Sequence, residues 1–182
     1  MRSVHRPTVI TMRNVNPEGQ GINCCCCRCC TCLNLGFMKT EAGVLKLIEI
    51  FAGLFCQTLA VSFGSNSYLI GASYQGFLTA VSWSMFTTVL LLICYIFSEK
   101  SVGLIKQSLF ETAFNTVASL SYLSACSYLG FIVNTVLSPL YSATPFFQVY
   151  PAMTAAYFMG TIVGLIYGYD AYKSYQYFKN IR

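Results

Sequence analysis

Four long apolar stretches, separated by shorter polar segments, dominate the pattern of this chain. The first begins with an interfacial turn, in which Lys39, Glu41, Lys46 and Glu49 alternate with apolar residues, and it has no charge from Ile50 onward. This profile is typical of a helix that passes from a charged membrane surface into hydrocarbon. The pattern predicts an all-α, four-span transmembrane helix bundle, with spans at about 44–63, 77–97, 109–137 and 152–172.

The composition supports a membrane protein. Of the 182 residues, 55% are hydrophobic and only 9% are charged, and the mean hydropathy is +0.58. About a quarter of the residues of a soluble domain are charged, so lipid is expected to cover much of this surface. The first 36 residues lack the apolar core of a signal peptide, which leaves the first span as the insertion signal. No nucleic-acid partner is expected, because the basic residues are scattered.

The distribution of positive charge predicts the topology. Six of the 11 basic residues lie before span one or in its first turn, two lie between spans two and three, and three follow span four. The segments 64–75 and 138–151 contain none. Because Lys and Arg favour the cytoplasmic side, both termini are predicted to be cytoplasmic. The layout is a disordered tail over 1–36, a membrane domain over 37–178 and a short cytoplasmic tail over 179–182.

A dense cysteine cluster lies just before span one. Disulfide bonds are not expected there, because the predicted compartment is the reducing cytosol. Structural zinc sites usually separate their C-x-x-C pairs by a dozen or more residues, and here the pairs are contiguous. Cysteines close to a membrane surface are suited to S-acylation. The candidate acylation sites are Cys24, Cys25, Cys26, Cys27, Cys29, Cys30 and Cys32.

Small residues recur along the predicted spans. In lipid, helices associate through close backbone approach, so such stripes mark helix contacts. They predict a compact bundle, and homo-oligomerisation through span four is the alternative. The candidate packing residues are Gly53 and Gln57 of span one, Gly76 and Ala80 of span two, and Ala156, Gly160, Gly164 and Gly168 of span four.

Three acids, Glu49, Glu111 and Asp170, lie close to predicted cytoplasmic helix ends. Each has a lysine about one turn away: Lys46, Lys106 and Lys173, respectively. We interpret these acids as members of ion pairs at the membrane interface, with their charged groups reaching toward water. The alternative is that they belong to a proton or ion path. Ser108 and Glu111 also have the spacing of a capping box at the start of span three.

No catalytic constellation is recognisable in the chain. The single histidine, His5, lies in the N-terminal tail, and no glycine-rich loop resembles a phosphate-binding motif. The protein is therefore expected not to be an enzyme, and no cofactor or metal is expected.

Two segments resemble the MARVEL family, in the type that includes the chemokine-like factors. The first is MKTEAGVLKLIE at 38–49, which is similar to the K-T-x-x-G-x-L-K-x-x-E opening of that type. The second is IYGYDAY at 166–172, which resembles the Y-x-x-D-x-Y ending of the family's fourth helix. Together with the span layout, the resemblance covers about residues 36–178, and the cysteine cluster lies outside it.

The resemblance implies a role in vesicle trafficking, membrane apposition or cell junctions, often in cholesterol-rich membranes. An insect member of similar size and layout is associated with myoblast fusion, which adds cell–cell fusion to these expectations. Chemokine-like factors suggest instead a chaperone or partner subunit for another membrane protein, and a small channel or transporter is a further alternative. The expected partners are membrane lipids, other membrane proteins and a second copy of the chain, at the plasma membrane and on transport vesicles.

Overall fold

The computed structural model of the chain describes residues 35–64, 70–143 and 148–181. Within these ranges the protein is almost entirely helical and contains no strand. Four stretches are long and apolar enough to cross a membrane, which confirms the predicted all-α, four-span architecture. The α-helices are α1 (Glu41–Leu59), α2 (Gly71–Phe97), α3 (Glu99–Gln107), α4 (Phe110–Ile132), α5 (Ser138–Ala143) and α6 (Val149–Ile181).

Short non-α turns extend two of these helices. Leu35–Lys39 forms a 3₁₀ helix before α1, and π-helical turns at Ala60–Gly64 and Val133–Leu137 follow α1 and α4. The apolar helical stretches that result are Glu41–Gly64, Gly71–Phe97, Phe110–Ala143 and Val149–Asn180. All four extend beyond the predicted spans at one or both ends, the second, third and fourth by six or more residues, because a helix continues into polar residues that a hydropathy profile does not count. For the same reason the prediction missed α3.

Hydroxyl side chains mark where the helices begin, although not at the predicted position. Thr40 caps α1 by accepting a hydrogen bond from the backbone N–H of Gly43 at 3.2 Å, and Ser98 does the same for α3. The capping box predicted at Ser108 and Glu111 is wrong. Ser108 instead ends α3, where its hydroxyl donates to the Ile105 carbonyl at 2.7 Å, and its Oγ accepts at 3.3 Å from the backbone N–H of Phe110, the first residue of α4.

The helix α6 holds the bundle together. It packs most extensively against α4 and then against α1, while α2 packs against both α1 and α4. Lys173, late in α6, forms an ion pair with Glu41, the first residue of α1, at 3.3 Å. The start of α1 and the end of α6 therefore lie together, and we call this the charged end of the bundle.

The outer surface is apolar, as a lipid-facing bundle requires. Large aromatic side chains point away from the core on every long helix, and those of Phe51, Phe86, Phe131 and Phe158 are each more than half exposed. The interior combines large side chains such as Phe77 and Tyr122 with small and polar ones such as Ala156 and Ser84, which fits helices that associate through close packing. The candidate acylation sites between Cys24 and Cys32 lie outside the described residues.

Candidate functional site

A cluster of buried charges lies inside the bundle near the charged end. The Nζ atom of Lys46 is 3.0 Å from Glu49 Oε2, 2.6 Å from Asp170 Oδ2 and 2.8 Å from Asn115 Oδ1. None of these four side chains is more than 3% exposed. We call Lys46, Glu49, Asn115 and Asp170 the charge cluster.

The cluster connects three of the four long helices. Lys46 and Glu49 lie one turn apart on the inner face of α1, Asn115 comes from α4 and Asp170 from α6. Asn115 occupies the centre, because its Nδ2 donates to Asp170 Oδ2 at 2.8 Å while its Oδ1 accepts from Lys46. A buried charge is tolerated where it is paired and hydrogen-bonded. Lys46 satisfies this condition with a partner on each of the three helices.

Aromatic side chains surround the lysine. The ring centroids of Phe114 and Tyr167 lie 5.8 and 5.7 Å from Lys46 Nζ, within the range of a cation–π interaction. The Tyr167 ring also stacks on Tyr122, with centroids 5.6 Å apart. Its hydroxyl lies 2.7 Å from Thr88 Oγ1, which extends the polar contacts to α2. All four long helices therefore meet at this level.

Glu111 lies near the cluster and, like Glu49 with its Oε1 atom, has one buried carboxylate oxygen without a hydrogen-bond partner in the described part of the chain. Unlike Glu49, it forms no ion pair within 4.0 Å there. The residue is only 2% exposed, yet its Oε2 atom has no hydrogen-bond partner among the described residues. Tyr95 on α2 is close enough to interact with it, although the tyrosine hydroxyl also lacks a hydrogen bond of acceptable geometry to the described part of the chain. A buried polar atom without a partner is uncommon and requires an explanation.

A cavity of about 230 Å³ lies next to Glu111. The ends of α1, α3, α4 and α6 form its walls, so it is located at the charged end of the bundle. Five charged residues line it: Glu41, Lys106, Glu111, Asp170 and Lys173. Across the described ranges, no group of three or more His, Cys, Asp and Glu side chains is arranged to hold a metal ion.

The structure corrects the interpretation of the three acids as interface pairs. Glu49 does pair with Lys46, as expected, but both side chains are fully buried. Asp170 pairs with Lys46 instead of Lys173, which pairs with Glu41. Spacing along one helix predicted neighbours on that helix, whereas the acids on α4 and α6 face neighbouring helices.

Glu111 does not form the predicted pair with Lys106 either. In the described part of the chain no ion pair within 4.0 Å joins these two residues. The Nζ of Lys106 lies instead 5.5 Å from the ring centroid of Phe37 and 5.4 Å from that of Tyr177.

The small residues predicted on span four do mark a helix contact. Ala156 and Gly160 are fully buried or nearly so, and a Cβ atom at Gly160 would lie 2.6 Å from Cys126 Sγ and 2.8 Å from the Phe77 ring. At Gly164 such an atom would lie 3.1 Å from Tyr122 Cβ, and at Gly168 3.1 Å from Ser119 Oγ.

This contact lies within one chain. The Ser119 hydroxyl donates to the Gly164 carbonyl at 2.7 Å, which brings the backbones of α4 and α6 close together. Because the stripe of small residues on α6 already packs against α4 and α2, it is not free to contact a second copy of the chain. Homo-oligomerisation through another surface stays a prediction.

The predicted packing residues of spans one and two have mixed outcomes. Gly53 and Ala80 are buried in the interior, and Gln57 is half-buried. Gly76 is exposed, and a Cβ atom there would have no described neighbour within 4 Å. The buried residues of α1 recur at steps of three or four residues, so Cys56, and not its neighbour Gln57, takes the interior position after Gly53.

Sequence reasoning missed the centre of the site. Lys46 was regarded only as the partner of an interface acid, and Asn115 was not singled out. One signal was present: Lys46, Glu49, Gly53, Cys56 and Ala60 follow the spacing of a single helix face. Because Gly53 on that face was predicted to pack inward, the two charges could have been predicted to do so as well.

One comparison with known proteins covers nearly the whole chain. Over 163 residues the chain is 43% identical to Protein singles bar of Drosophila melanogaster, which is 89% of this chain and 93% of that protein. No protein-family model matches the chain. The resemblance to the MARVEL family therefore stays a prediction. No solved structure matches the chain.

Proposed function

The chain belongs to the singles bar family, and from this premise we propose that it is a non-enzymatic protein that organises membranes at sites of apposition or cell–cell fusion. Four membrane-spanning helices make it a multi-pass membrane protein. The proposal places it at the plasma membrane and on transport vesicles. It includes myoblast fusion as the process that the sequence resemblance implies, with cholesterol-rich membranes as the lipid environment.

The observation that carries this proposal is the extent of the similarity. The 43% identity extends over 89% of the chain, so it reaches into all four spans and is not limited to one hydrophobic segment of the kind that membrane proteins often share by composition. A relationship of this length supports a common fold and a common type of role.

The interior of the bundle supports a role in organisation over one in transport. The charge cluster lies near one end. Farther along the described bundle, the core is filled by apolar or weakly polar side chains such as Cys56, Phe77, Cys126 and Val163, all nearly or fully buried. A transport path requires polar groups or water across the midplane. The described interior resembles a packed core more than a path.

A content-mixing assay tests the proposal. Two populations of cells that express the protein are labelled with different cytoplasmic dyes, depleted of the protein and mixed. We expect depletion to reduce the number of double-labelled cells, and resupplied wild-type chain to restore it. Lys46→Met should restore it poorly, whereas the matched control Lys173→Met should restore it fully. Unchanged content mixing and unchanged vesicle delivery after depletion would reject the proposal.

A small channel or transporter is the second candidate, and the buried acids favour it. Ionisable groups inside a membrane bundle often belong to proton or ion paths. The purified chain is reconstituted in liposomes that contain a pH-sensitive dye, and proton flux is compared with empty liposomes. The proposed organising role predicts no difference. A flux that Glu111→Gln abolishes would favour transport instead.

The cysteine cluster and the partner protein remain part of the proposal. S-acylation at Cys24–Cys32 would hold the N-terminal tail at the membrane surface and direct the protein to particular membranes. Acyl-biotin exchange should give a hydroxylamine-dependent signal in the wild type and none when all seven residues are changed to Ser. Proximity labelling from the tail would test the alternative, a chaperone or junction role, by identifying one dominant membrane-protein neighbour.

A further inference from the structure

The cavity at the charged end is lined by one acid, Glu111, that forms no ion pair within 4.0 Å in the described part of the chain. Within the described residues, Lys46 forms ion pairs with both Glu49 and Asp170, and Lys173 forms one with Glu41. Glu111 forms no such pair. It lines the cavity and is only 2% exposed. Its Oε2 atom accepts no hydrogen bond of acceptable geometry from the described groups, Tyr95 included, so it is available to a donor that enters the cavity.

The mouth of the cavity contains two cations and one acid, Glu41, which is 86% exposed and pairs with Lys173. Lys106 and Lys173 both line it, and both are less buried than Glu111, with the Lys173 side chain 42% exposed. Ser174 and Tyr177 add hydroxyl groups to the same wall. A ligand that entered from the helix ends would therefore meet Lys106, the Glu41–Lys173 pair and the hydroxyls first, and the carboxylate of Glu111 at the bottom.

We propose that this cavity binds a phosphoethanolamine group, with its ammonium at Glu111 and its phosphate at Lys106 and Lys173. Each charge of the zwitterion would then meet its opposite, in the order in which the cavity presents them. A primary ammonium has three N–H donors, so it can give the Glu111 Oε2 atom the hydrogen bond that it lacks.

Other headgroups fit less well. The trimethylammonium of choline has no N–H to donate, and its usual site is a cage of aromatic rings, whereas Tyr177 is the single aromatic residue among those that line the described cavity. A serine headgroup would add a carboxylate beside Glu111 and Asp170. A metal ion is also a poor candidate, since the described residues contain no group of three suitable ligands.

The position of the cavity favours a membrane lipid as the source of this group. Its walls are the ends of membrane-spanning helices, which is the level at which phospholipid headgroups lie. The basic residues predict that this end faces the cytoplasm. Soluble phosphoethanolamine has the same chemistry, and a competition experiment separates the two sources. The inference does not depend on the proposed role in apposition or fusion.

Native mass spectrometry of the purified full-length chain in detergent tests the proposal. The chain is mixed with ethanolamine and choline phospholipids that have identical acyl chains. We expect about tenfold tighter binding of the ethanolamine lipid, the size of one hydrogen bond to a charged group. In the wild type, headgroups with one or two added methyl groups still have an N–H donor, so the main loss of binding should come with the third methyl group. Equal binding of all these lipids would overturn the proposal.

Variants assign the two charges of the ligand. Glu111→Gln should lose the preference for ethanolamine, whereas Glu49→Gln, a buried acid that does not line the cavity, should keep it. Lys106→Gln should weaken both lipids equally through the phosphate. Retention of the full preference by a folded Glu111→Gln protein would contradict the assignment. If that variant does not fold, the methylation series on the wild type still decides.

Competition with soluble phosphoethanolamine then identifies the source. If it displaces the bound lipid only at concentrations far above that of the lipid, the site belongs to a membrane lipid. If it binds as tightly as the whole lipid, the site is confirmed for the headgroup chemistry and assigned to a soluble ligand.

Discussion

The charged end and the middle of the bundle hold the same helices together by different means. At the charged end, long side chains from α1, α4 and α6 reach across the interior to form ion pairs and hydrogen bonds around Lys46. In the middle, Gly160 and Gly164 let the backbone of α6 approach α4 and α2 directly. In lipid, close packing is the common way to join helices.

The difference shows why both regions are needed. Stripes of small residues specify that two helices touch, but a stripe repeated every four residues permits a shift by one turn. A lysine that must meet Glu49, Asn115 and Asp170 allows one register. Single buried polar contacts set register in other helical assemblies. We expect the middle to provide contact and the charged end to provide register.

The largest expected effect follows from removing the central cation. Lys46→Met leaves Glu49 and Asp170 buried without their partner, and breaking a buried pair in this way costs about 3–5 kcal/mol. Reversible unfolding in mixed detergent micelles measures the change in the free energy of unfolding. The control is Lys173→Met, which removes an exposed cation. Equal effects of the two variants would mean that burial of the cluster contributes nothing.

A smaller loss is expected from Asn115→Leu, which removes one hydrogen bond to Lys46 and one to Asp170. Hydrogen bonds to charged groups contribute about 1.5–3 kcal/mol. The same unfolding measurement is made on Asn134→Leu, an exposed asparagine of the Val133–Leu137 turn, which should change little. If both leucine variants were as stable as the wild type, the bridging role of Asn115 would be refuted.

The middle of the bundle is tested by adding one methyl group. Gly160→Ala places a Cβ atom against Cys126 and Phe77, and overpacking of this kind costs about 1–3 kcal/mol. Gly76→Ala has open space around it and should be neutral or slightly stabilising. Shortening the neighbour, in the pair Gly160→Ala with Cys126→Ala, should recover part of the loss; a pair that is strictly additive would argue against the contact.

How much of this contrast could be predicted from the sequence depends on the kind of interaction. The four spans and the stripe from Ala156 to Gly168 were predictable, because hydropathy and small-residue spacing are properties of one helix at a time. The charge cluster was not predictable in this way, because two partners of Lys46 lie on other helices. Asn115 is 69 residues and Asp170 is 124 residues farther along the chain. Gly76 shows the converse: its spacing matched a packing stripe, but a Cβ atom at that position would have no described neighbour within 4 Å.

The smallest expected effect belongs to the exposed pair at the rim. Glu41→Gln removes the 3.3 Å ion pair between Glu41 and Lys173, whose side chains are 86% and 42% exposed, respectively. Exposed ion pairs contribute about 0–1 kcal/mol and are screened by salt. The unfolding free energy should shift by less than about 0.5 kcal/mol. A loss comparable with that of Lys46→Met would show that the rim, not the interior, holds this end together.

The most direct test of the account is a double-mutant cycle on Lys46 and Asp170, the pair that joins α1 to α6. Lys46→Met, Asp170→Leu and the double variant are unfolded under identical conditions. Because each single variant leaves an unpaired charge in the interior, the double variant should be less destabilised than the sum of the two, by at least about 1 kcal/mol. Losses that add without any coupling would show that the two side chains do not act as a pair and would contradict the central role of the charge cluster.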